Sequence, residues 1–329
     1  MKSWIIVTHV LMATVFHSVV GDTVMSSSLV IQNDDPLVHF HGRWDESPGT
    51  WWAGSGFKLH VQNLKTMSIN LGPHTTAPLA SVGVSLDYDS FTTINVSQGL
   101  NNIVGPTALN IEQTEGKSTS VVRLNVEGWQ NNRINLESVL LNSDAKLLPY
   151  TPLKLAFQFV GDSLSAGQFL PEGVDQAWPF LTGERFRAEH NVNAQPGAAL
   201  TTDTEQTEDT GYFYTTDHNF TTPWDFQRDQ PPPTHVVIHI GANDAAQNVS
   251  DTEFVQVYTN FLIRLRNLYP HQPVFVFTPW GWPSADGSIS QYYQGQYQII
   301  VEQRHKAGDE QVFLVNTTGW VTWEDVFPE

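Results

Sequence analysis

Between residues 38 and 148 the chain is a succession of short stretches in which apolar and polar side chains alternate or β-branched residues cluster. Gly, Asn, Asp, Ser and Pro separate them. A spacing of two puts successive side chains on opposite faces of a strand, so residues 56–61, 66–71, 81–86, 91–96, 118–126 and 133–141 are expected strands. No amphipathic helix interrupts them. Six or more strands closed by turn residues at short intervals call for an antiparallel β-sandwich, jelly-roll-like in topology. Two prolines in Leu148-Pro149-Tyr150-Thr151-Pro152 then mark a boundary, giving a sandwich domain over 22–150 and a second domain over 151–329.

Beyond Pro152 the periodicity changes. Residues 154–160, 235–240, 273–278 and 311–316 are short apolar runs, each ending near Gly, Pro or Asn, as expected of strands buried on both faces. Phe254, Val257, Tyr258, Phe261, Leu265 and Leu268 recur at helical spacing up to Pro270, and a further helix is expected over 290–306, stopped by Gly308. Strands alternating with helices imply a parallel sheet covered on both faces, and in such sheets ligands bind beyond the carboxyl ends of the strands. Residues 201–233, polar at first and closing on Pro231-Pro232-Pro233, follow neither period and read as a binding element or a mobile insert.

Charge narrows the partners. Sixteen Lys plus Arg against 34 Asp plus Glu give −18 over 329 residues, which disfavours nucleic acid and anionic membranes. The absence of Cys excludes disulfides, thiolate metal sites and a cysteine nucleophile. Only 15% of residues are charged and 12% are aromatic, a balance suited to neutral polar ligands such as sugars. At the amino end, Lys2, an apolar run over 4–20 and Val19-Val20-Gly21 before Asp22 have the form of a secretory leader over 1–21. Interrupted by His9, Thr14 and His17, the run is too short to span a bilayer, so the expected product is secreted, extracellular and monomeric, with no membrane partner. Four glycosylation sequons, at Asn95, Asn219, Asn248 and Asn316, agree with that address.

The chemistry gathers at strand ends. Gly161-Asp162-Ser163-Leu164-Ser165 follows the first strand of the second domain, where a strand-to-helix turn presents a serine hydroxyl beside the N–H groups of a helix start. Gly241-Ala242-Asn243-Asp244 follows the 235–240 strand, and Gln195-Pro196-Gly197-Ala198 follows a short strand at 190–194. A hydroxyl converging with backbone and amide donors is what acyl transfer needs. These three blocks, in this order, resemble the SGNH (GDSL-type) hydrolase superfamily. With the β-rich half first, and with Gly42-Arg43-Trp44 and Trp52-Ala53-Gly54-Ser55-Gly56-Phe57, the chain is similar to carbohydrate esterase family 2, enzymes that remove O-acetyl groups from plant-cell-wall sugars. The resemblance implies Ser163 as the nucleophile and an oxyanion hole made by the Ser163 N–H, the Gly197 N–H and the Asn243 side chain. It implies no cofactor. Asp162 and Asp244 flank the site and read as structural, bonding nearby backbone.

One element of the family departs. The resemblance implies a general base from a DxxHP-like segment before a final helix, yet no His follows His305 and the sequence ends at Trp323-Glu324-Asp325-Val326-Phe327-Pro328-Glu329. Three readings follow: the sequence breaks off just before the base, which the coincidence with the motif boundary favours; another histidine serves; or the chain is a catalytically impaired carbohydrate-binding protein. Of the other histidines, His239 lies within a buried strand, His305 near a helix end, and His218, in the polar insert, is the reachable one. Without the final helix, one sheet face near 311–316 lacks cover. Trp280 and Trp282, after the 273–278 strand, form a candidate stacking platform for a pyranose ring, whereas Trp44, Trp51 and Trp52 read as core. No metal site is expected, since His39-Phe40-His41 lacks a third ligand. The expected function is deacetylation of cell-wall polysaccharide or oligosaccharide through Ser163. A lipase on the same scaffold is disfavoured by the charge.

Overall fold

The computed structural model describes residues 28–109, 118–128, 131–201, 211–214 and 222–326. The leader, His218, Asn219 and Phe327 lie outside the described residues. The first half is an antiparallel sandwich. In chain order its strands are β1 (Leu29–Gln32), β2 (His39–His41), β3 (Gly49–Thr50), β4 (Gly56–Gln62), β5 (Met67–Leu71), β6 (Ala80–Leu86), β7 (Thr92–Val96), β8 (Gly99–Val104), β9 (Thr119–Val126), β10 (Ile134–Leu141) and β11 (Lys146–Leu148). One sheet runs β1-β10-β5-β8, with β3 on β10; the other runs β11-β4-β9-β6-β7, with β2 on β4. Period two is visible in β5, where Met67, Ile69 and Leu71 are buried and the residues between them are not. Between the sheets, Phe57, Leu59, Val61, Val122, Leu124 and Val139 fill one core. Trp44, Trp51 and Trp52 are buried. The strands without a clear sequence signal, β1, β2, β3, β8 and β11, are short or rich in Gly and Asn; pairing with β4, β5 and β10 makes them strands.

The second half is a five-stranded parallel sheet of β12 (Ala156–Gly161), β13 (Glu189–Ala194), β14 (His235–His239), β15 (Val274–Phe277) and β18 (Val312–Val315), ordered β13-β12-β14-β15-β18. A two-stranded hairpin, β16 (Trp282–Pro283) with β17 (Ile289–Ser290), stands beyond β15. The helices are α1 (Ser163–Ala166), α2 (Trp178–Phe186), α3 (Ala242–Ala246), α4 (Asp251–Leu268), α5 (Gln296–Lys306) and α6 (Trp323–Val326). Val236, Ile238 and Val276 turn toward α4 and α5, where Phe254, Tyr258, Phe261 and Leu265 complete a core; Phe159 and Val237 turn the other way, toward Trp178 and Phe180 of α2. Ser250 caps α4 by accepting from Glu253 N at 3.3 Å.

Two helices differ from expectation. Helix α5 begins at Gln296 rather than residue 290, because Ile289 and Ser290 pair with the hairpin and Tyr293 (φ 49°) and Gly295 (φ 78°) take left-handed conformations that no helix interior accepts. Helix α2 has no sequence signal: Pro179 and Gly183 weaken its pattern, yet Gly183 is required, since a Cβ there would lie 2.4 Å from the His190 ring. After β18 only the four-residue α6 is described, and Phe313 is 39% exposed, its ring stacked on Phe275.

Polar pairs join the halves. The buried Arg43 guanidinium donates to Asp229 at 3.0 Å and lies 4.4 Å over Trp224, Lys58 pairs with Glu189, and Arg123 meets Glu184 at 2.6 Å. Asn125 Nδ2 donates to Asp175 Oδ1 at 2.6 Å, and Gly83 leaves room for the other carboxyl oxygen, which a Cβ would approach to 2.0 Å. Burial pushes the Asp175 carboxyl up to about 8. The unfolded carboxyl, at its ordinary 3.8, sheds a proton that the folded chain keeps, so this group lowers stability as pH rises from about 4 to about 8. Asp175→Asn keeps the oxygen that Asn125 needs and removes the slope. Its Tm is expected to gain at least about 2 °C on the parent between about pH 5 and about pH 8.5; melts that stay parallel over that range would refute a protonated Asp175.

Candidate active site

Gly161, the last residue of β12, is level with Ala194 at the end of β13 and with His239 at the end of β14. Neighbouring strands lie about 4.8 Å apart, so the three loops that follow leave the sheet side by side. Ser163 opens α1. Asp162 caps it, its carboxylate accepting from Leu164 N at 3.0 Å. As the first helical residue, Ser163 has an N–H with no carbonyl partner inside the helix. Its hydroxyl is half-buried and has no hydrogen bond among the described residues.

The second loop turns at Gly197, which is exposed at φ 84° with open space where a Cβ would stand. The third loop is tied directly to it: Asn243 Nδ2 donates to Ala198 O at 2.7 Å, which fixes the amide and leaves its second N–H to donate elsewhere. Asp244 holds the same segment, accepting from Leu200 N at 3.2 Å, Thr201 N at 2.9 Å and Thr201 Oγ1 at 2.8 Å. Gly241, at φ 132°, lets the chain turn under the Tyr297 hydroxyl, which donates to Ile240 O at 2.7 Å. Ser163, Gly197 and Asn243 therefore sit on three adjacent strand ends. Asp162 and Asp244 bond backbone, as the sequence led us to expect. Burial pushes the Asp162 carboxyl up to about 7 and raises that of Asp244 as well.

Among the described residues no histidine bonds the Ser163 hydroxyl. His239 is 1% exposed, wedged between Trp280 (ring centroids 4.7 Å apart) and Trp178 (5.7 Å), with both ring nitrogens unpartnered among the described residues. Burial lowers it to about 4, so it is neutral at pH 7 and a weak base. His305 bonds Val312 O at 2.7 Å, at the amino edge of the sheet, remote from Ser163. Asp325 caps α6, accepting from Thr322 N at 2.7 Å and Thr322 Oγ1 at 2.9 Å. Trp280 is half-buried beside His239, while Trp282, on the hairpin, is 55% exposed. Asn95, Asn248 and Asn316 are exposed. The role of Arg43 as an anchor for Asp229 was not readable from its motif, because the partner is 186 residues away.

Close approach of the loops makes Gly161 indispensable. A Cβ there would lie 2.2 Å from Ser165 Oγ and 3.1 Å from the His239 carbonyl oxygen, and the latter belongs to a paired strand that cannot retreat. Gly161→Ala is expected to cost about 1–3 kcal/mol in urea unfolding. A midpoint unchanged from the parent would show that this contact is loose.

A match to the GDSL-like lipase/acylhydrolase family covers residues 159–328, more than half the chain. No curated protein matches. Among solved structures, a family two carbohydrate esterase from Clostridium thermocellum in complex with cellohexaose is 20% identical with a TM-score of 0.67, the alignment covering 85% of this chain and 88% of that one. A family two carbohydrate esterase from Cellvibrio japonicus is 17% identical, with a TM-score of 0.69 and 89% of each chain covered. An acetyl xylan esterase from the rumen bacterium Butyrivibrio proteoclasticus is 15% identical, with a TM-score of 0.67 and coverage of 88% and 90%. These likenesses extend over both halves and establish a shared architecture. The match itself begins within β12 and takes in the Ser163, Gly197 and Asn243 loops: the chain belongs to the GDSL-like lipase/acylhydrolase family.

Proposed function

We propose that this chain is a secreted carbohydrate O-acetyl esterase acting on cell-wall polysaccharide or oligosaccharide, with Ser163 as its nucleophile. The observation that carries the reading is the Asn243 Nδ2 to Ala198 O bond, which holds an amide donor beside Gly197 on the strand ends next to Ser163. In the reaction, Ser163 Oγ adds to the acetyl carbonyl carbon and gives its proton to a solvent water, which returns it to the sugar oxygen as the intermediate collapses. The carbonyl oxygen becomes an oxyanion, met by the Ser163 and Gly197 N–H groups and the free Asn243 N–H. Collapse breaks the bond to the sugar oxygen, which leaves as an alcohol after taking a proton, and water then cleaves the acetyl-serine ester. The reading is supported by the architecture shared with carbohydrate esterases, by the exposed Trp282 beyond β15, and by the leader-like residues 1–21.

A second reading, a carbohydrate-binding protein with weak hydrolysis, is favoured by one sequence feature. Laid against a DxxHP-like segment, Glu324-Asp325-Val326-Phe327-Pro328 puts Glu324 at the acid, Pro328 at the proline and Phe327 at the histidine. The family match extends to residue 328 and so includes this segment. A phenyl ring accepts no proton, and a general base contributes about 10²- to 10⁴-fold.

Both readings meet the same experiment. Release of acetate from p-nitrophenyl acetate and acetylated xylan is expected from the parent and lost in Ser163→Ala; equal rates in the two would end the esterase reading. Phe327→His is expected to raise kcat by about 10²-fold or more. An unchanged kcat would mean that the base acts from another position.

A further inference from the structure

A cavity of about 220 Å³ lies beside the carboxyl ends of β15 and β18, bounded by Thr278 and Pro279 on one side, Asn316 and Thr318 on another, and the start of α5. In a chain with 34 acidic and 16 basic residues, none of the lining residues is charged. The wall combines amides, hydroxyls and tyrosine rings. Part of it is rigid: Tyr297 donates to Ile240 O at 2.7 Å, Tyr293 donates to Val249 O at 3.0 Å, and the Tyr293 ring stacks on Phe254 at 3.8 Å. The other part is uncommitted. Gln291, Gln294 and Tyr292 form no hydrogen bond among the described residues. Gly295, the N-cap of α5, supplies no side-chain cap, and open space surrounds the place where its Cβ would be.

The chemistry selects the ligand. A charged group would find no counter-charge here, and an apolar one would strip water from amides without replacing its hydrogen bonds. Amide and hydroxyl groups both give and accept hydrogen bonds, as sugar hydroxyls do, while an aromatic ring suits the apolar face of a pyranose. At about 220 Å³ the space falls below the roughly 300–1,000 Å³ of drug-sized pockets, which limits it to one sugar residue. Pro279 belongs to its wall, while Trp280, the next residue in sequence, turns to the other face and packs on His239 and Trp178. We propose that this cavity is a subsite holding one neutral pyranose residue of a glycan chain. The assignment rests on reading the chain as a carbohydrate-directed protein.

Calorimetric titration of Ser163→Ala with cellohexaose and with xylohexaose tests the subsite. The protein should be made without N-glycans, because Asn316 is both on the wall and in a sequon. At least one hexaose should bind. Adding Gln291→Ala with Gln294→Ala, or Tyr292→Ala alone, should weaken that binding by about tenfold or more. Affinity unchanged within about twofold in both folded variants would overturn the proposal, as would binding of neither hexaose. If the double variant loses its circular dichroism signature, Tyr292→Ala decides alone. Acetate release is measured separately on protein with Ser163 intact. An active esterase whose hexaose affinity ignores these substitutions removes the subsite and keeps the enzyme, and a silent chain whose affinity falls keeps the subsite and removes the enzyme.

Discussion

Parallel pairing of β12 with β13 on one side and β14 on the other, in a register that brings Gly161, Ala194 and His239 level, is the constraint on which the site depends. A parallel ladder delivers all its carboxyl ends to one edge, so three loops separated by tens of residues emerge together without any contact designed between them. The finer alignment then comes from a few polar ties. Asn243 to Ala198, and Asp244 to Leu200 and Thr201, bind the second and third loops into one unit. The serine turn is set by its own cap, Asp162, and by the absence of a side chain at Gly161. Preorganisation of this kind is what oxyanion stabilisation requires, because donors that need no rearrangement lose nothing when charge develops.

The sandwich meets the second half through buried charge, Lys58 reaching Glu189 at the amino end of β13, opposite the edge that carries the three loops. Arg43, Lys58 and Arg123 each leave the sandwich to meet a carboxylate of the second half. Such pairs add little net stability over a well-packed apolar contact, since both ions are desolvated, but removing one partner strands the other at a cost of about 3–5 kcal/mol. They therefore act mainly on geometry, permitting one docking of the halves. Arg43 shows the consequence best: enclosed by Trp224, Tyr212 and Phe226, it fixes the 224–229 stretch of the polar insert against the sandwich.

How far the letters carry is clear from particular elements. The period-two stretches became β4, β5, β6, β7, β9 and β10, and the helical spacing from Phe254 to Leu265 became the buried face of α4, because in both cases burial follows a local repeat. Helix α2 escaped because its residues are chosen for contacts with His190 and Phe91 rather than for propensity. The start of α5 was misplaced because a hairpin with Trp282 and Pro283, not the helix's own residues, claims Ile289 and Ser290.

For the site the division is similar. The sequence by itself singled out the candidate nucleophile and the candidate donors, since Ser163 and Asn243 each follow an apolar run, and Gly197 a short strand, whose end is local information. Only the tertiary structure decided that Asn243 spends one N–H on Ala198, that His239 is sealed between two tryptophans and held neutral, and that an uncharged cavity opens beside Pro279. The physical reason is one of range. Strand ends and turns follow from a few consecutive residues, whereas desolvation, hydrogen-bond partnership and enclosed volume are properties of atoms that the chain brings together only after it has folded.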